Sequence, residues 1–471
     1  MRWYGCIFVI GTSFLAACAG VRKDLPSEAT IPVPTEWNTA TSTRTDPVQA
    51  DWWKTFDDST LDALIEEGLS HNDDIALAAT RVQEARAQFR YTEALRLPNI
   101  QGSLAGARDR DVNPGFGVPE EQTAGEGVIE AAFDVDLFGR LKASSEAARS
   151  ALLATRDAQQ TVRLSVVASV ASGYFTLLAL DARLAIVRQT LRVRGDELHL
   201  EERRFAKGYS SALDLTRAQA EFASTEQLIP ALELAIASTE NGLSILLGRA
   251  PGTITRGGAF DRLSLPDVPV SLPSTLLRSR PDIAAAEARL AATDHNLDAA
   301  RAAFLPDIQL GVTGGVVGST LVNSSPVGVW SVGGSVLAPL FDAGRLKAQE
   351  HAATAQRDEA AFAYRKTALQ AFLEVENELA AVARDREQYD ALKRERDALA
   401  RTFHLATRRY REGYSSYLDQ LDAQRNLLSS ELALVQSRLD RFNAAVSLFQ
   451  ALGGGWSPQE DNRVTEARRN D

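Results

Sequence analysis

Two stretches of this 471-residue chain, 140–207 and 343–411, run without a proline and are rich in Ala, Leu, Arg and Glu. As single helices each would reach ~100 Å at ~1.5 Å per residue. No compact globular core holds an element of that length, so the chain must fold around long rods. Apolar residues recur along the first rod in steps of three and four: Val166, Val170, Tyr174, Leu177, Leu180, Leu184, Val187 and Leu191. After the second rod, Leu418, Leu421, Leu428, Leu432, Val435, Leu439, Phe442, Val446 and Phe449 mark a returning helix. That spacing is the seam of helix-on-helix packing.

The rods belong to a sequence written twice. Asn72-Asp73-Asp74-Ile75 aligns with Arg280-Pro281-Asp282-Ile283, and Leu97-Pro98-Asn99-Ile100 with Leu305-Pro306-Asp307-Ile308, both at an offset of 208. Gly139-Arg140-Leu141-Lys142 matches Gly344-Arg345-Leu346-Lys347 at an offset of 205. At that same offset Gly208-Tyr209-Ser210-Ser211 matches Gly413-Tyr414-Ser415-Ser416, and Leu247-Gly248 matches Leu452-Gly453. One register change of three residues between Ile100 and Gly139 reconciles these matches, as a duplication with one shorter loop requires. Gly208 and Gly413 can take the left-handed conformation that ends a helix. Ser211 to Asp214 and Ser416 to Asp419 then read as capping boxes that start the next one. Each copy reads as helix, two strands, very long helix, sharp turn, helix.

Between the helices the period drops to two. Ile129, Ala131, Phe133, Val135 and Leu137 share one face of 127–137, while Glu130, Asp134 and Asp136 share the other with Val128 and Ala132. The pattern returns as Ile308, Leu310, Val312 and Val316 against Gln309, Gly311 and Thr313, and as Trp330, Val332, Val336 and Leu340 against Ser331, Gly333 and Ser335. Residues 100–110 form a weaker fourth strand. One face suits lipid and the other water, and about ten tilted residues span an outer membrane. Four strands are too few for a closed barrel, for which about eight is the minimum. Two, three or four copies would supply eight, twelve or sixteen strands, and pattern alone does not choose.

The start of the chain carries Arg2, an apolar run from Cys6 to Leu15 and a small-residue end at Ala16-Ala17, the layout of a secretory leader too short to span a bilayer. Cys18 would then be the one cysteine left, excluding an intrachain disulfide. With 45% hydrophobic residues a sizeable core is available, and a net charge of −11 argues against nucleic acid. The five histidines are scattered, and no triad, phosphate loop or metal spacing stands out. No enzyme activity and no cofactor are expected.

Leu15-Ala16-Ala17-Cys18 resembles a lipoprotein signal, in which the cysteine is acylated and becomes the first residue; Ala19 in place of aspartate directs such a protein to the outer membrane. The chain as a whole resembles the outer membrane factor family, of the TolC and OprM kind, and most of all its NodT-type lipoproteins. The likeness rests on Trp52-Trp53-Lys54-Thr55-Phe56, Asn72-Asp73-Asp74-Ile75, Leu246-Leu247-Gly248, Arg280-Pro281-Asp282-Ile283, Leu421-Asp422-Ala423-Gln424-Arg425 and the closing Ala451 to Trp456, in that order. It departs at Ser279, where many members carry a second arginine.

The resemblance implies a mainly α protein with a small membrane β part: duplicated helical hairpins forming a periplasmic α-barrel, and four strands per chain closing as a 12-stranded barrel in a homotrimer. It implies an efflux duct that meets a periplasmic adaptor (membrane fusion) protein and an inner-membrane pump of the RND type, lies in outer-membrane lipid and binds no nucleic acid. Leu418 and Asp422 fall where the family has its periplasmic constriction. Arg217, the repeat equivalent of Asp422, would tether one hairpin to the other by a charge pair. Gly208, Tyr209, Ser210 and Ser211, with Gly413, Tyr414, Ser415 and Ser416, would meet the adaptor, and Glu130, Asp134 and Asp136 would face the lumen. Protein or metal-ion export through the same duct, and a periplasmic coiled-coil scaffold without a pore, remain as alternatives. The absence of methionine after Met1 disfavours a methionine-lined copper or silver route.

The expected organisation is a signal peptide (1–17), a lipid-anchored extended segment (18–50) and a first repeat (51–248) with strands at ~100–110 and ~127–137 and a hairpin at ~140–247. A linker (249–279) leads to a second repeat (280–453) with strands at ~308–318 and ~329–340 and a hairpin at ~343–452, then a tail (454–471).

Overall fold

The computed structural model describes residues 24–39, 48–112, 119–270, 272–320 and 326–457. The leader, Cys18 and the tail beyond Ser457 lie outside the described residues. In chain order the main elements are α1 (Ser59–His71), α2 (Asp73–Ala94), β1 (Asn99–Val112), β2 (Pro119–Val135), α3 (Arg140–Ala206), α4 (Ala212–Glu226) and α5 (Leu228–Leu246). They continue with α6 (Pro273–Ser279), α7 (Pro281–Ala302), β3 (Asp307–Ser319), β4 (Val327–Leu337), α8 (Arg345–Arg411) and α9 (Tyr417–Ala451). The rods α3 and α8 are each 67 residues long and uninterrupted.

The described chain divides into two compact units. One comprises 24–30, 81–156 and 285–366 and holds the sheet; the other comprises 31–80, 157–284 and 367–457 and holds the main apolar core and both hairpin turns.

In the first unit the strands form one antiparallel sheet in the order β1-β2-β3-β4. The central pairing, Glu130 opposite Thr313 and Ile129 opposite Gly314, joins the two copies of the repeat. The apolar face is open: Ile100 is 70% exposed, Trp330 81% and Val332 70%. On the other face Gln101 donates to Glu130 at 3.1 Å, Gln309 to Asp134 at 3.1 Å, and the Thr313 and Ser331 hydroxyls lie 2.7 Å apart.

The sheet differs from expectation at three ends. β2 begins at Pro119, not near 127, because the polar run 119–126 is held by backbone pairing to β1 and by Arg108–Glu121 at 3.2 Å, neither of which shows as apolar alternation. β2 stops at Val135, and Asp136 is not a strand acid: its carboxylate accepts the amides of Leu141 (3.1 Å) and Lys142 (2.7 Å) and caps α3. β4 stops at Leu337, ahead of Pro339, leaving Leu340 outside the strand.

In the second unit the core is aromatic. The turn Trp52–Phe56 inserts Trp52 and Phe56, stacking Trp52 on Phe449 (centroids 4.9 Å) and setting Phe56 against Phe175 (4.9 Å). Phe175 in turn meets Phe442 at 4.8 Å. One window of α3 is apolar enough to cross a membrane by composition, but 56% of it is buried, because it carries Val170, Tyr174, Phe175 and Leu177 into this core.

The repeated motifs do repeated work here. Asn72 Nδ2 donates to the carbonyl of Leu246 at 2.9 Å, and its counterpart Arg280 Nη1 donates to that of Ala451 at 2.9 Å, so each satisfies the end of its copy's returning helix. Gly248 (φ 70°) and Gly453 (φ 92°) follow those ends; a Cβ there would stand 2.0 Å from the His71 oxygen and 1.9 Å from that of Ser279.

The copies differ in one respect the spacing did not foretell. The first returning helix is divided at Gln227 into α4 and α5, whereas α9 runs unbroken for 35 residues. Pro230 has no N–H for a bond to the preceding turn and its ring crowds that turn's carbonyl. The equivalent position in α9 is Val435.

Candidate functional site

Both hairpins turn in the same way. At the end of α3 the Tyr209 amide donates to the Arg204 carbonyl (2.8 Å) and that of Gly208 to Phe205 (2.9 Å); at the end of α8 Tyr414 donates to Arg409 (2.8 Å) and Gly413 to Tyr410 (3.0 Å). These are Schellman closures, and Gly208 (φ 78°) and Gly413 (φ 82°) supply the left-handed residue they need. Ser211 then accepts the amide of Asp214 (3.1 Å) and Ser416 that of Asp419 (3.3 Å). Only the second start is a full capping box, with the Ser416 amide returning to the Asp419 carboxylate at 3.1 Å. Tyr209 (81% exposed) and Tyr414 (75%) project outward, while the Ser210 and Ser415 hydroxyls are tucked inward.

Above the turns lies a layer of buried polar groups that the apolar stripe did not reveal. Arg194 on α3 meets Glu221 on α4 at 2.9 Å and also reaches the Glu221 carbonyl at 2.8 Å. Glu221 is held from its other side by Arg425 of α9. Gln420 donates to Glu197 at 2.6 Å, and Tyr410 donates to Glu201. Arg204 sits 4.8 Å over the Tyr410 ring, and Tyr410 lies 5.5 Å from Tyr417. Burial pulls the Arg194 guanidinium down from its ordinary value and pushes the Glu197 carboxyl up, against the opposing bonds from Gln420 and Gln424. The Tyr417 and Tyr410 hydroxyls are likewise pushed up, first by burial.

Leu418 and Asp422 stand one turn apart at the start of α9, Leu418 38% exposed and the Asp422 side chain 55%. Asp422 touches Arg425 at 3.4 Å. Arg217 does not form the expected tether within the chain: it bonds Asp214 on its own helix at 3.5 Å. Near the turns, Glu221 with Arg425 is a charge pair that does cross from the first copy to the second, four residues past Arg217 and three past Asp422. A signal for it existed in the gap of the α9 stripe between Leu421 and Leu428, where Gln424 is 4% exposed. No group of three or more His, Cys, Asp or Glu able to hold a metal occurs among the described residues.

The model of the family described as outer membrane efflux protein matches the chain twice, over residues 64–249 and 272–454, one match for each copy of the repeat. This chain belongs to that family. Among curated relatives, the pyoverdine export outer membrane protein OpmQ of Pseudomonas putida is 34% identical over 97% of this chain and 98% of its own length. The cation efflux system protein CusC of Escherichia coli is 36% identical over 86% of this chain and 88% of its own. Among solved structures, the outer-membrane channel OprN superposes with a TM-score of 0.83 at 28% identity, over 94% of this chain and 100% of that one. CusC gives 0.80 at 32%, over 92% and 98%. The chain is therefore an outer-membrane efflux channel component, mostly helical with a small antiparallel sheet, and its family is one of transport rather than catalysis.

Proposed function

We propose that three copies of this chain close one twelve-stranded barrel in the outer membrane, continued by their helical hairpins into the periplasm as the passive outer duct of a tripartite efflux system. One observation carries the reading: the four-stranded sheet leaves β1 and β4 unpaired at its edges among the described residues and an apolar face open to solvent. In lipid each open edge would strand backbone donors and acceptors at several kcal/mol per group, so closure by further copies is required. The count of three follows the resemblance to trimeric ducts.

The turns with Tyr209 and Tyr414 outward would receive a periplasmic adaptor, which in turn holds an inner-membrane pump of the RND type. Leu418 and Asp422 would line the constriction, where three carboxylates near one axis attract cations and repel one another. Glu130 and Asp134 would face the lumen. Cys18 would carry the acyl anchor: the Asp24 carbonyl is held by Arg357, twelve residues (~18 Å) along α8 from its start beside the sheet. The six Cα-to-Cα steps from Cys18 to Asp24 can span ~20 Å. Relatives named for pyoverdine, toluene and cations carry chemically unlike cargoes, which fits a duct that leaves selection to its pump.

The test is planar-bilayer recording of the purified full-length protein, wild type beside Asp422→Asn, with the oligomer's mass measured on unheated samples. A trimer with discrete conductance, and altered cation selectivity in the variant, is expected. A monomer that never conducts would refute the duct, and unchanged selectivity would refute the role of Asp422.

A further inference from the structure

The fold accounts for half of the repeated Gly-Arg-Leu-Lys motif. Gly139 and Gly344 take positive φ at the entry to α3 and α8, and Leu141 and Leu346 are buried. Arg140 is used by the fold in reaching Asp307 of β3, but no ion pair among the described residues calls for Lys142, Arg345 and Lys347, and a cation in the first helical turn opposes the helix dipole. The N-termini are already served, because Asp136 caps α3, and Asp342 accepts the amides of Gly344 (3.0 Å) and Leu346 (2.8 Å).

These side chains lie at the end of the sheet that leads into the helices. The side chains of Lys142 and Lys347 are exposed and make no hydrogen bond or ion pair among the described residues, and neither does that of Arg96, just before β1. Arg345 stands beside Asp342, whose carboxylate is already engaged by the Gly344 and Leu346 amides, and Arg140 reaches Asp307 at 3.3 Å. The carboxylates one turn further along the same helices, Glu146 and Glu350, pair with Arg149 (3.6 Å) and Arg301 (3.1 Å). At the sheet's opposite end, by contrast, Arg108 and Arg110 both pair with Glu121. Beside the free cations the apolar face ends in Leu97 (65% exposed), Leu137 (64%), Leu340 (96%) and Phe341 (91%). Between the two motifs opens a cavity of about 490 Å³ lined by Leu137, Arg140, Leu305, Leu337 and Arg345, with Asp136 and Asp307 in the roles just given.

We propose that this collar is a binding site for anionic glycerophospholipid of the periplasmic leaflet, with the phosphate on Arg345, Lys347 and Lys142 and the acyl chains along Leu137, Leu340 and Phe341. The proposal rests on the outer-membrane reading. In a chain of net charge −11, three cations without an ion pair among the described residues, close in sequence to exposed apolar side chains at the sheet's end, match the order of groups met on leaving a leaflet: hydrocarbon, then phosphate, then water. Long basic side chains lie along apolar surface while their heads reach the phosphates.

The test uses full-length protein in neutral detergent, incubated with phosphatidylglycerol or phosphatidylcholine, with retained lipids counted by native mass spectrometry. Wild type should retain phosphatidylglycerol preferentially, and K142Q/R345Q/K347Q should lose about fivefold of that preference per cation removed. The charge-preserving K142R/R345K/K347R should keep it. Wild-type preference persisting in the glutamine variant would overturn the proposal. So would abolition of lipid retention by millimolar inorganic phosphate, which would identify a site for the free anion. Conductance of the glutamine variant in bilayers shows that it is assembled; failure of every variant and wild type to conduct would count against the duct and leave the lipid counts standing.

Discussion

Glu221→Ala removes the centre of a three-residue ion set, and its cost can be worked from the exposures. The side chains of Arg194 and Glu221 are 4% and 10% exposed at 2.9 Å, whereas that of Arg425 is 48% exposed. Without Glu221 the Arg194 guanidinium is left in a low-dielectric layer, where burial already works against its charge. Stranding one member of a buried pair costs ~3–5 kcal/mol. Arg194 would keep the residue 221 carbonyl at 2.8 Å and the Ser224 hydroxyl at 3.3 Å, which places the expected loss near ~3 kcal/mol. Arg425→Ala removes only a solvent-screened partner and should cost ~1 kcal/mol or less. In R194A/E221A no stranded charge remains, so the double variant should be ~2 kcal/mol more stable than the sum of the single losses. Urea-induced loss of far-ultraviolet ellipticity on full-length protein in detergent, near neutral pH, measures Glu221→Ala, Arg194→Ala, Arg425→Ala and the double variant. Additivity within ~0.5 kcal/mol, or an Arg425→Ala loss equal to that of Glu221→Ala, would refute this assignment of energies.

Four further outcomes are expected. Burial raises the Glu197 carboxyl above the ordinary glutamate value of 4.5, so its contribution to stability is full below that pH and is lost as pH rises through the raised value. Glu197→Gln should therefore be more urea-resistant than wild type at neutral pH, with the gap closing on acidification and gone below about 4.5. Gly453→Ala places a Cβ 1.9 Å from the Ser279 oxygen at φ 92° and should cost at least ~2 kcal/mol. Gly242→Ala, in an exposed helical position with open space around it, should instead stabilise by ~0.5–1 kcal/mol. Asp136→Ala should lose ~1 kcal/mol as a helix cap. If Asp136 served only as a lumen charge, that variant would change ion selectivity with no shift in its urea midpoint.

What the sequence made legible was whatever burial writes as a period. The rods, the α9 seam and the three stronger strands each bury or expose one face, and two of the repeated motifs could be recognised as motifs before their work was known. The polar start of β2 was hidden because 119–126 is held by backbone pairing and carries no apolar alternation. The tip layer was hidden for the opposite reason: Glu197, Gln420 and Gln424 occupy seam positions, but a carboxylate or amide there reads as solvated until its partner from another helix is known. Asp136 was misplaced because its parity continues β2 while its hydrogen bonds belong to α3.

The two copies share their turns, caps and closing glycines, so the fold asks the same of each; function must lie where they depart. At the position of Asp422 the first copy has Arg217, and at that of Val435 it has Pro230. The proline divides the first returning helix at Gln227, while α9 stays one rod from its capping box at Ser416 to its end. Gln227 keeps helical angles (φ −61°, ψ −20°) and its amide still bonds the Ala223 carbonyl at 3.1 Å, so the interruption is the backbone bond that Pro230 cannot make, and the helical path goes on through it. The tie between the two returning helices, Glu221 on the interrupted one and Arg425 on the continuous one, lies beside the exposed Leu418 and Asp422. Joining the halves of the divided helix with Pro230→Ala would test this: if the break serves the motion of the tip, channel gating changes, and if it is only a scar of divergence, stability rises and gating does not.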